Sequence, residues 1–334
     1  MALLQRAKKV GRRYLNPVPT TIGGPGMIFK LLPQYLFNRE ERVPKLGLGP
    51  FHTNVAAYTT EPESGLRITW MGHSSMLVEI DGVRVLLDPV WDERASPVQW
   101  AGPKRFFAPT LRLEQLPQID VVLISHDHYD HLGAGTVRQL AELQPEARWV
   151  TPLGVGEILR RLGVQTERIE EIDWTETVSI AGGLEITALP SRHFSGRSLF
   201  NRFETLWASF VLRGTGHTVY YAADSGWWEG FAEIGAEYGP FDLTMLEIGA
   251  SNELWHSIHL GPDGAMRAFH ALGGMGLLMP IHWGLFDLAL HAWRQPIERL
   301  IALAESEGLK LWAPKPGLPT EVLRGVEMHS DWWR

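Results

Sequence analysis

Up to about residue 65 the hydrophobic positions show little periodicity, and Pro, Gly and Thr interrupt the chain often. From there the pattern becomes regular. Arg67–Trp70 and Ser75–Ile80 read as strands, Asp81-Gly82 is a two-residue hairpin signal, and Val83–Leu87 returns the chain. Val121–Ser125 is a short apolar run of the kind that forms a buried strand. Leu184–Leu189, Leu206–Leu212, Thr218–Ala222, Leu243–Ile248 and Leu277–Ile281 predict further strands. Helical spacing is expected near Gly135–Leu143, Gly230–Tyr238, Pro262–Leu272 and Trp293–Glu307, with a short helix near Met27–Phe37. Strands interleaved with helices imply an α/β architecture in which helices cover sheets. The division read from this pattern is an N-terminal extension, residues 1–65, wrapped over one main domain, residues 66–334.

With 45% hydrophobic and 21% charged residues, a disordered or fibrous chain is excluded. The absence of cysteine rules out disulfide frameworks, thiolate metal sites and a thiol nucleophile. A net charge of −7 and the lack of a long basic stripe argue against a nucleic-acid binder. The charge is uneven, however: the first 15 residues contain no acid. There Leu3, Ala7, Val10 and Tyr14 follow helical spacing among Arg6, Lys8, Lys9, Arg12 and Arg13. Such an arm either lies on an anionic membrane surface or straps the main domain. Its basic, acid-poor composition also suits a transit peptide, while the apolar core of a secretory signal is lacking. No apolar run is long enough to span a bilayer, so a cytoplasmic protein, peripheral on the membrane through its basic segment, is expected.

The chemistry concentrates in Ser125-His126-Asp127-His128-Tyr129-Asp130-His131, directly after a buried strand. His126 and His128 are two residues apart and point the same way in an extended loop. Asp130 and His131 follow where the chain turns toward a helix, so one loop can feed two neighbouring metal ions. Three other strands also end in ligand types: Leu184–Leu189 leads to His193, Thr218–Ala222 to Asp224, and Leu277–Ile281 to His282. Imidazole and carboxylate suit zinc, and the same ligand types suit iron or manganese.

The His-x-His-x-Asp-His pattern resembles the central signature of the metallo-β-lactamase superfamily. Thr69–Ser75, Leu87-Asp88-Pro89, Arg94–Pro97, Gly102–Phe106, Ile248-Gly249-Ala250 and Ile281–Gly284 are similar, in order, to the N-acylphosphatidylethanolamine-hydrolysing phospholipase D group. This resemblance implies an αββα sandwich of two mixed sheets with helices outside and a dinuclear metal site at one edge. It implies two Zn2+, one held by His126, His128 and His193, the other by Asp130, His131 and His282, with Asp224 bridging them. The implied activity is hydrolysis of N-acylphosphatidylethanolamine-like phospholipids to phosphatidic acid and an N-acylethanolamine, through a hydroxide shared by the two zincs. The histidines must be neutral to ligate, so activity should fall in acid. A lactonase or other carboxylic ester hydrolase would use the same ligands, because the same nucleophile can attack a carbonyl. A nuclease and a non-catalytic binding module are the remaining alternatives. A homodimer is also implied by the resemblance alone.

Asp130, Asp224 and His259 are the expected catalytic residues. His259 stands where the resembling enzymes have a His-x-x-Pro stretch that reaches the substrate phosphate, and would contact phosphate or protonate the leaving group. His256 is the weaker neighbour. Asp88, which closes an apolar strand, and His73, in a Gly-His-Ser turn, are expected to orient ligands from behind. Trp227, Trp228, Trp255 and Trp283 either wall an acyl-chain groove or pack the core.

Overall fold

The structure is a computed structural model that describes residues 3–22, 39–198, 200–322 and 330–334. The helix expected near Met27–Phe37 lies outside the described residues. In chain order the elements are β1 (Lys9–Val10), β2 (Arg13–Tyr14), β3 (Leu66–Trp70), β4 (Met76–Ile80), β5 (Val83–Leu87), β6 (Val121–Leu123), α1 (Ala134–Leu143), β7 (Arg148–Pro152), α2 (Gly156–Arg161), β8 (Ile169–Ile172), β9 (Thr177–Ile180) and β10 (Leu184–Leu189). They continue with β11 (Ser209–Arg213), β12 (Thr218–Tyr221), α3 (Gly230–Tyr238), β13 (Leu243–Glu247), α4 (Gly261–Ala271), β14 (Leu277–Ile281), α5 (Gln295–Glu307) and β15 (Thr320–Glu321).

Two mixed sheets face each other. One has the order β15-β3-β4-β5-β6-β7-β8 and the other β14-β13-β12-β11-β10-β9. The central strands of the first sheet are buried on both faces, as covered strands must be, with the Arg67–Glu79 ion pair set into the outward face. Val78, Val85, Val121 and Leu123 point into the core shared with Ile186, Phe210, Val219, Met245 and Met279 of the second sheet. The alternate residues Leu77, Leu86 and Val122 point outward under Val137 and Leu140 of α1 and Leu159 of α2. Phe231 of α3, Phe269 of α4 and Leu300 of α5 join the core from the second sheet's side. The result is an αββα sandwich. Asp81 (φ 48°) and Gly82 (φ 86°) both take the left-handed conformation that the tight β4–β5 hairpin demands.

In each sheet the strands that lead to the candidate residues run the same way. β5 and β6 are parallel, and β3 is antiparallel to β4, which is antiparallel to β5. β12, β13 and β14 are parallel to one another, and β10 is related to β12 through two antiparallel steps. The C-terminal ends of β3, β5, β6, β10, β12, β13 and β14 therefore gather at one edge of the sandwich.

The N-terminal arm differs from the helical reading. Lys9–Val10 and Arg13–Tyr14 form a two-stranded hairpin turned by Gly11 at φ 58°. Glycine at that position breaks the helix that the apolar spacing suggested. The arm lies along the sandwich: Leu3 N donates to Glu233 (2.7 Å), Ala7 N to Asp173 (3.0 Å) and Tyr14 N to the Phe203 carbonyl (2.8 Å). Tyr14 is buried in the main core. Further along, Arg42 forks onto Asp287, and Phe51 packs beside Phe107.

Candidate metal centre

Five of the eight non-glycine residues with positive φ among the described residues sit at this edge: His73, Asp88, Ala223, Ala250 and His282. Each follows, or lies shortly after, a strand. Left-handed backbone is costly for a residue with a Cβ. Its concentration here turns the chain sharply at each strand end and aims the following side chains inward.

Two groups of four side chains converge, the ligand-type atoms of each lying within 4.8 Å of one another. The first is His126, His128, His193 and Asp224. His126 Nε2 stands 2.9 Å and His193 Nε2 3.3 Å from His128 Nδ1, and the Asp224 carboxylate lies 3.5 Å from His193. The second is His73, Asp130, His131 and His282. Asp224 reaches this group as well, 3.2 Å from both His131 Nε2 and His282 Nε2. All seven residues expected as ligands are thus together, with Asp224 between the halves.

Hydrogen bonds behind the rings fix which nitrogen faces the centre. His131 Nδ1 pairs with Asp88 Oδ2 (2.7 Å), His193 Nδ1 donates to the Ile258 carbonyl (2.8 Å), and His126 Nδ1 pairs with Ser125 Oγ (2.9 Å). Each leaves its Nε2 for the interior. Asp88 is wholly buried and also accepts from Ser125 N (2.7 Å), Ser125 Oγ (2.5 Å) and the Tyr221 hydroxyl. His73 Nε2 lies 3.0 Å from Asp130 Oδ2, and its carbonyl accepts from His282 N (3.0 Å). Asp88 and His73 therefore touch ligand-type residues directly, and His73 stands close enough to join the second group itself. Asp127 accepts from Gly196 N (2.6 Å), and Arg197, stacked on Tyr129, donates to the Asp127 and Leu132 carbonyls. These contacts lock the histidine loop to the segment after His193.

Cations fit this cage. His131 Nε2, His282 Nε2 and Asp224 Oδ1 are buried and make no hydrogen bond among the described residues, an arrangement that is expensive unless something fills it. Burial opposes charge on Asp130 and Asp224, yet the facing imidazoles hold both well below the usual carboxylate range. Burial likewise opposes protonation of His282, but Asp224 and then Asp130 outweigh it and push the ring up to about 10. His131 is raised in the same way. Without an ion the carboxylates recruit protons as counter-charge, and a metal ion would replace them. Burial, reinforced by neighbouring rings, holds His126 and His193 well below their ordinary value, so they stay neutral and able to ligate.

The cage opens on a cavity of about 300 Å³ lined by His128, Asp130, Asp224, His259 and His282 at its base and by Ile22, Phe194, Trp255, Ile258 and Leu288 along its walls, with Arg202 beside them. His259 is thus at the cavity, whereas His256 is exposed and not among its lining residues. Of the four tryptophans proposed for a groove, Trp255 alone lines this cavity. Trp228 and Trp283 are buried in the core, and Trp227 stacks on Phe231 beneath Arg267. Glu247, which the sequence reading passed over, is wholly buried and joins Asp224, His259 and His282 in a third close group. Its signal was a lone carboxylate in the apolar run Leu243–Ile248.

The sequence pattern of the Beta-lactamase superfamily domain matches residues 83–283. An uncharacterized protein of Mycobacterium tuberculosis is 46% identical over 273 residues, 81% of this chain and 72% of that one. The N-acyl-phosphatidylethanolamine-hydrolyzing phospholipase D 1 of Caenorhabditis elegans is 35% identical over 318 residues, covering 90% of this chain and 89% of its own. Among solved structures, an isothiocyanate hydrolase from Delia radicum gut bacteria superposes with a TM-score of 0.63 at 19% identity, over 77% of this chain and 99% of that one.

Proposed function

The chain belongs to the metallo-β-lactamase superfamily, and from that premise we propose that it is a phosphodiesterase of phospholipase D type acting on N-acylated ethanolamine phospholipids. The observation that carries the reading is the cage of seven ligand-type residues at the base of a largely apolar cavity, in a chain similar over nine tenths of its length to an enzyme named for that activity.

His126, His128 and His193 would hold one metal ion, Asp130, His131 and His282 a second, and Asp224 would lie between them. We take the ions to be zinc, with iron or manganese as alternatives that metal analysis separates. Such ions, when bound, supply Lewis acidity toward phosphoryl oxygen and hydroxide at neutral pH. Asp88 and His73 hold His131 and Asp130 in place. Arg202 lends positive charge near the cavity, where the phosphate of a lipid enters. Ile22, Phe194, Ile258 and Leu288 offer apolar contact to acyl chains and exclude water. His259 supplies a proton from Nε2 to the leaving oxygen as the bond from phosphorus to the N-acylethanolamine oxygen breaks.

The lipid surface itself has a docking face in this reading. Lys8, Lys9, Arg12 and Arg13 are exposed on the N-terminal hairpin. Tyr14 and Arg12 tie that hairpin to Phe203 and Glu204, and the same segment carries Phe200, 87% exposed. Basic residues beside an exposed aromatic suit an anionic bilayer. Among the described residues no helix is long and apolar enough to cross a membrane.

The test is turnover of three substrates by metal-loaded protein: a fluorescent N-acyl phospholipid, a chromogenic phosphodiester and a lactone. Cleavage of both phosphodiesters is expected, with release of N-acylethanolamine. Turnover of the lactone alone would overturn the proposal in favour of a carboxylic ester hydrolase.

A further inference from the structure

Glu247 ends β13, and no step set out above uses it. Its side chain is wholly buried, where an unpaired carboxylate is costly. Oε1 accepts from Ser225 N (2.7 Å) and Leu260 N (3.2 Å), and Oε2 pairs with His259 Nδ1 at 2.6 Å. The partners come from two separate segments: Ser225 follows Asp224, and His259 and Leu260 lead into α4. The two backbone donors fix the carboxylate before it meets the imidazole. The imidazole, held by Nδ1, lines the cavity beside Asp130, Asp224 and His282. A glutamate anchored to the backbone on one oxygen and to a cavity histidine on the other is built to aim that histidine.

We infer that Glu247 is a positioning residue: it keeps the Nδ1 proton of His259 engaged and so presents Nε2 to the leaving oxygen. The inference rests on the proposed phosphodiesterase reading for its chemical consequence, but not for its geometry. In the step concerned, the Nε2 proton of His259 passes to the alkoxide oxygen released as the P–O bond breaks. The attacking water has already lost one proton to solvent, and its remaining proton, carried on the new phosphate monoester, restores His259. The net change is one water and one phosphodiester consumed, with one alcohol, one phosphate monoester and one proton released.

The same carboxylate stands 3.8 Å from His282 Nδ1, so the competing role is that of a metal ligand. The experiment separates the two roles. Glu247→Gln keeps the side-chain length and one acceptor. Zinc-loaded wild type, Glu247→Gln and His259→Ala are compared on two phosphodiesters, one releasing p-nitrophenolate, which needs no proton, and one releasing an alkyl alcohol, which does. The expected result is a loss of about 10–100-fold in kcat on the alkyl substrate, with KM and the p-nitrophenyl rate within about threefold and zinc content unchanged. The double variant should be no worse than His259→Ala, because the two residues act as one unit. A proton NMR signal far downfield, from the short Nδ1–H bond of His259, should be present in wild type and lost in both single variants.

Loss of zinc from Glu247→Gln would make Glu247 a ligand and overturn the inference. Equal losses on both substrates, or wild-type rates on both, would overturn it as well. Should the Gln variant fail to fold, Glu247→Asp retains the charge but draws it back by one methylene. The same leaving-group pattern is then expected, and an Asp variant indistinguishable from wild type counts against the inference. If wild type cleaves neither phosphodiester, the proposed function fails, while the NMR signal still reports whether Glu247 holds His259.

Discussion

Replacing Asp88 by Asn tests whether the geometry of the cage is set from behind. Four donors meet this carboxylate: Ser125 N on Oδ1, and Ser125 Oγ, His131 Nδ1 and the Tyr221 hydroxyl on Oδ2. An amide has one acceptor, so its NH2 must face donors on one side. The less costly orientation turns it toward Ser125 N, leaving one buried backbone N–H unsatisfied at about 1–3 kcal/mol. On the other side the hydroxyls can rotate away, but the bond to His131 loses its charge assistance, worth roughly 1 kcal/mol. Together the apoprotein should lose about 2–4 kcal/mol. His131 becomes a poorer and less firmly aimed ligand, so affinity for the metal it helps hold should fall ~10–100-fold. The assays are urea denaturation of metal-free protein and zinc affinity by competition with a chromogenic chelator. An Asn variant with wild-type affinity would refute the claim that Asp88 orients His131, whatever its effect on stability.

Asp224→Asn should reduce bound metal by at least one ion per chain, measured by atomic emission, because both halves of the cage share this carboxylate. For metal-free protein, stability should be greatest near neutral pH. His282 has a folded-state pKa of about 10 against an ordinary 6.5, so its contribution is complete below about 6.5 and lost as pH rises through about 10. His73, lowered to about 3 by burial and by His282, works oppositely: its contribution is present above about 6.5 and lost as pH falls toward about 3. Urea midpoints across this range check both arms, and a metal-free midpoint that rises from pH 7 to 10 would contradict the alkaline one. Bound metal should flatten the alkaline arm by replacing the protons. Tyr14→Ala, which empties a core position, should cost about 3 kcal/mol in chemical denaturation; a negligible loss would mean that the arm does not brace the sandwich.

The site was legible because its ligand-type residues obey a positional rule: they stand at or just past the ends of apolar runs. The loop 126–131 and the separate His193, Asp224 and His282 all stand just past strands whose hydrophobic pattern is plain, and parallel strands deliver them to one edge. Glu247 was missed because it is the last residue inside its strand, where period-two reasoning treats a polar residue as facing water. Here the strand is covered on both faces, and the carboxylate finds Ser225, Leu260 and His259 instead. The arm was misread because four apolar residues at helical spacing carried the prediction, while Gly11, at φ 58°, carried the fold. β7, β8 and β9 and the short α2 were not predicted. Thr177–Ile180 alternates exposed and buried positions, but four residues give such a pattern little weight against chance.

The two sheets contribute to the cage in nearly equal measure. His73, Asp88 and the histidine loop come from one, and His193, Asp224, Glu247 and His282 from the other. A chain without cysteine has no covalent brace across this seam. Ions seated there would act as a rivet, closing loops that reach from residue 126 to residue 282, and long closed loops restrict an unfolded chain the most. The proposed catalysis and the mechanical integrity of the fold would then depend on the same atoms. A population evolving toward a new substrate could alter the cavity walls freely, but each exchange among the cage residues would be judged first by whether the sandwich still holds shut.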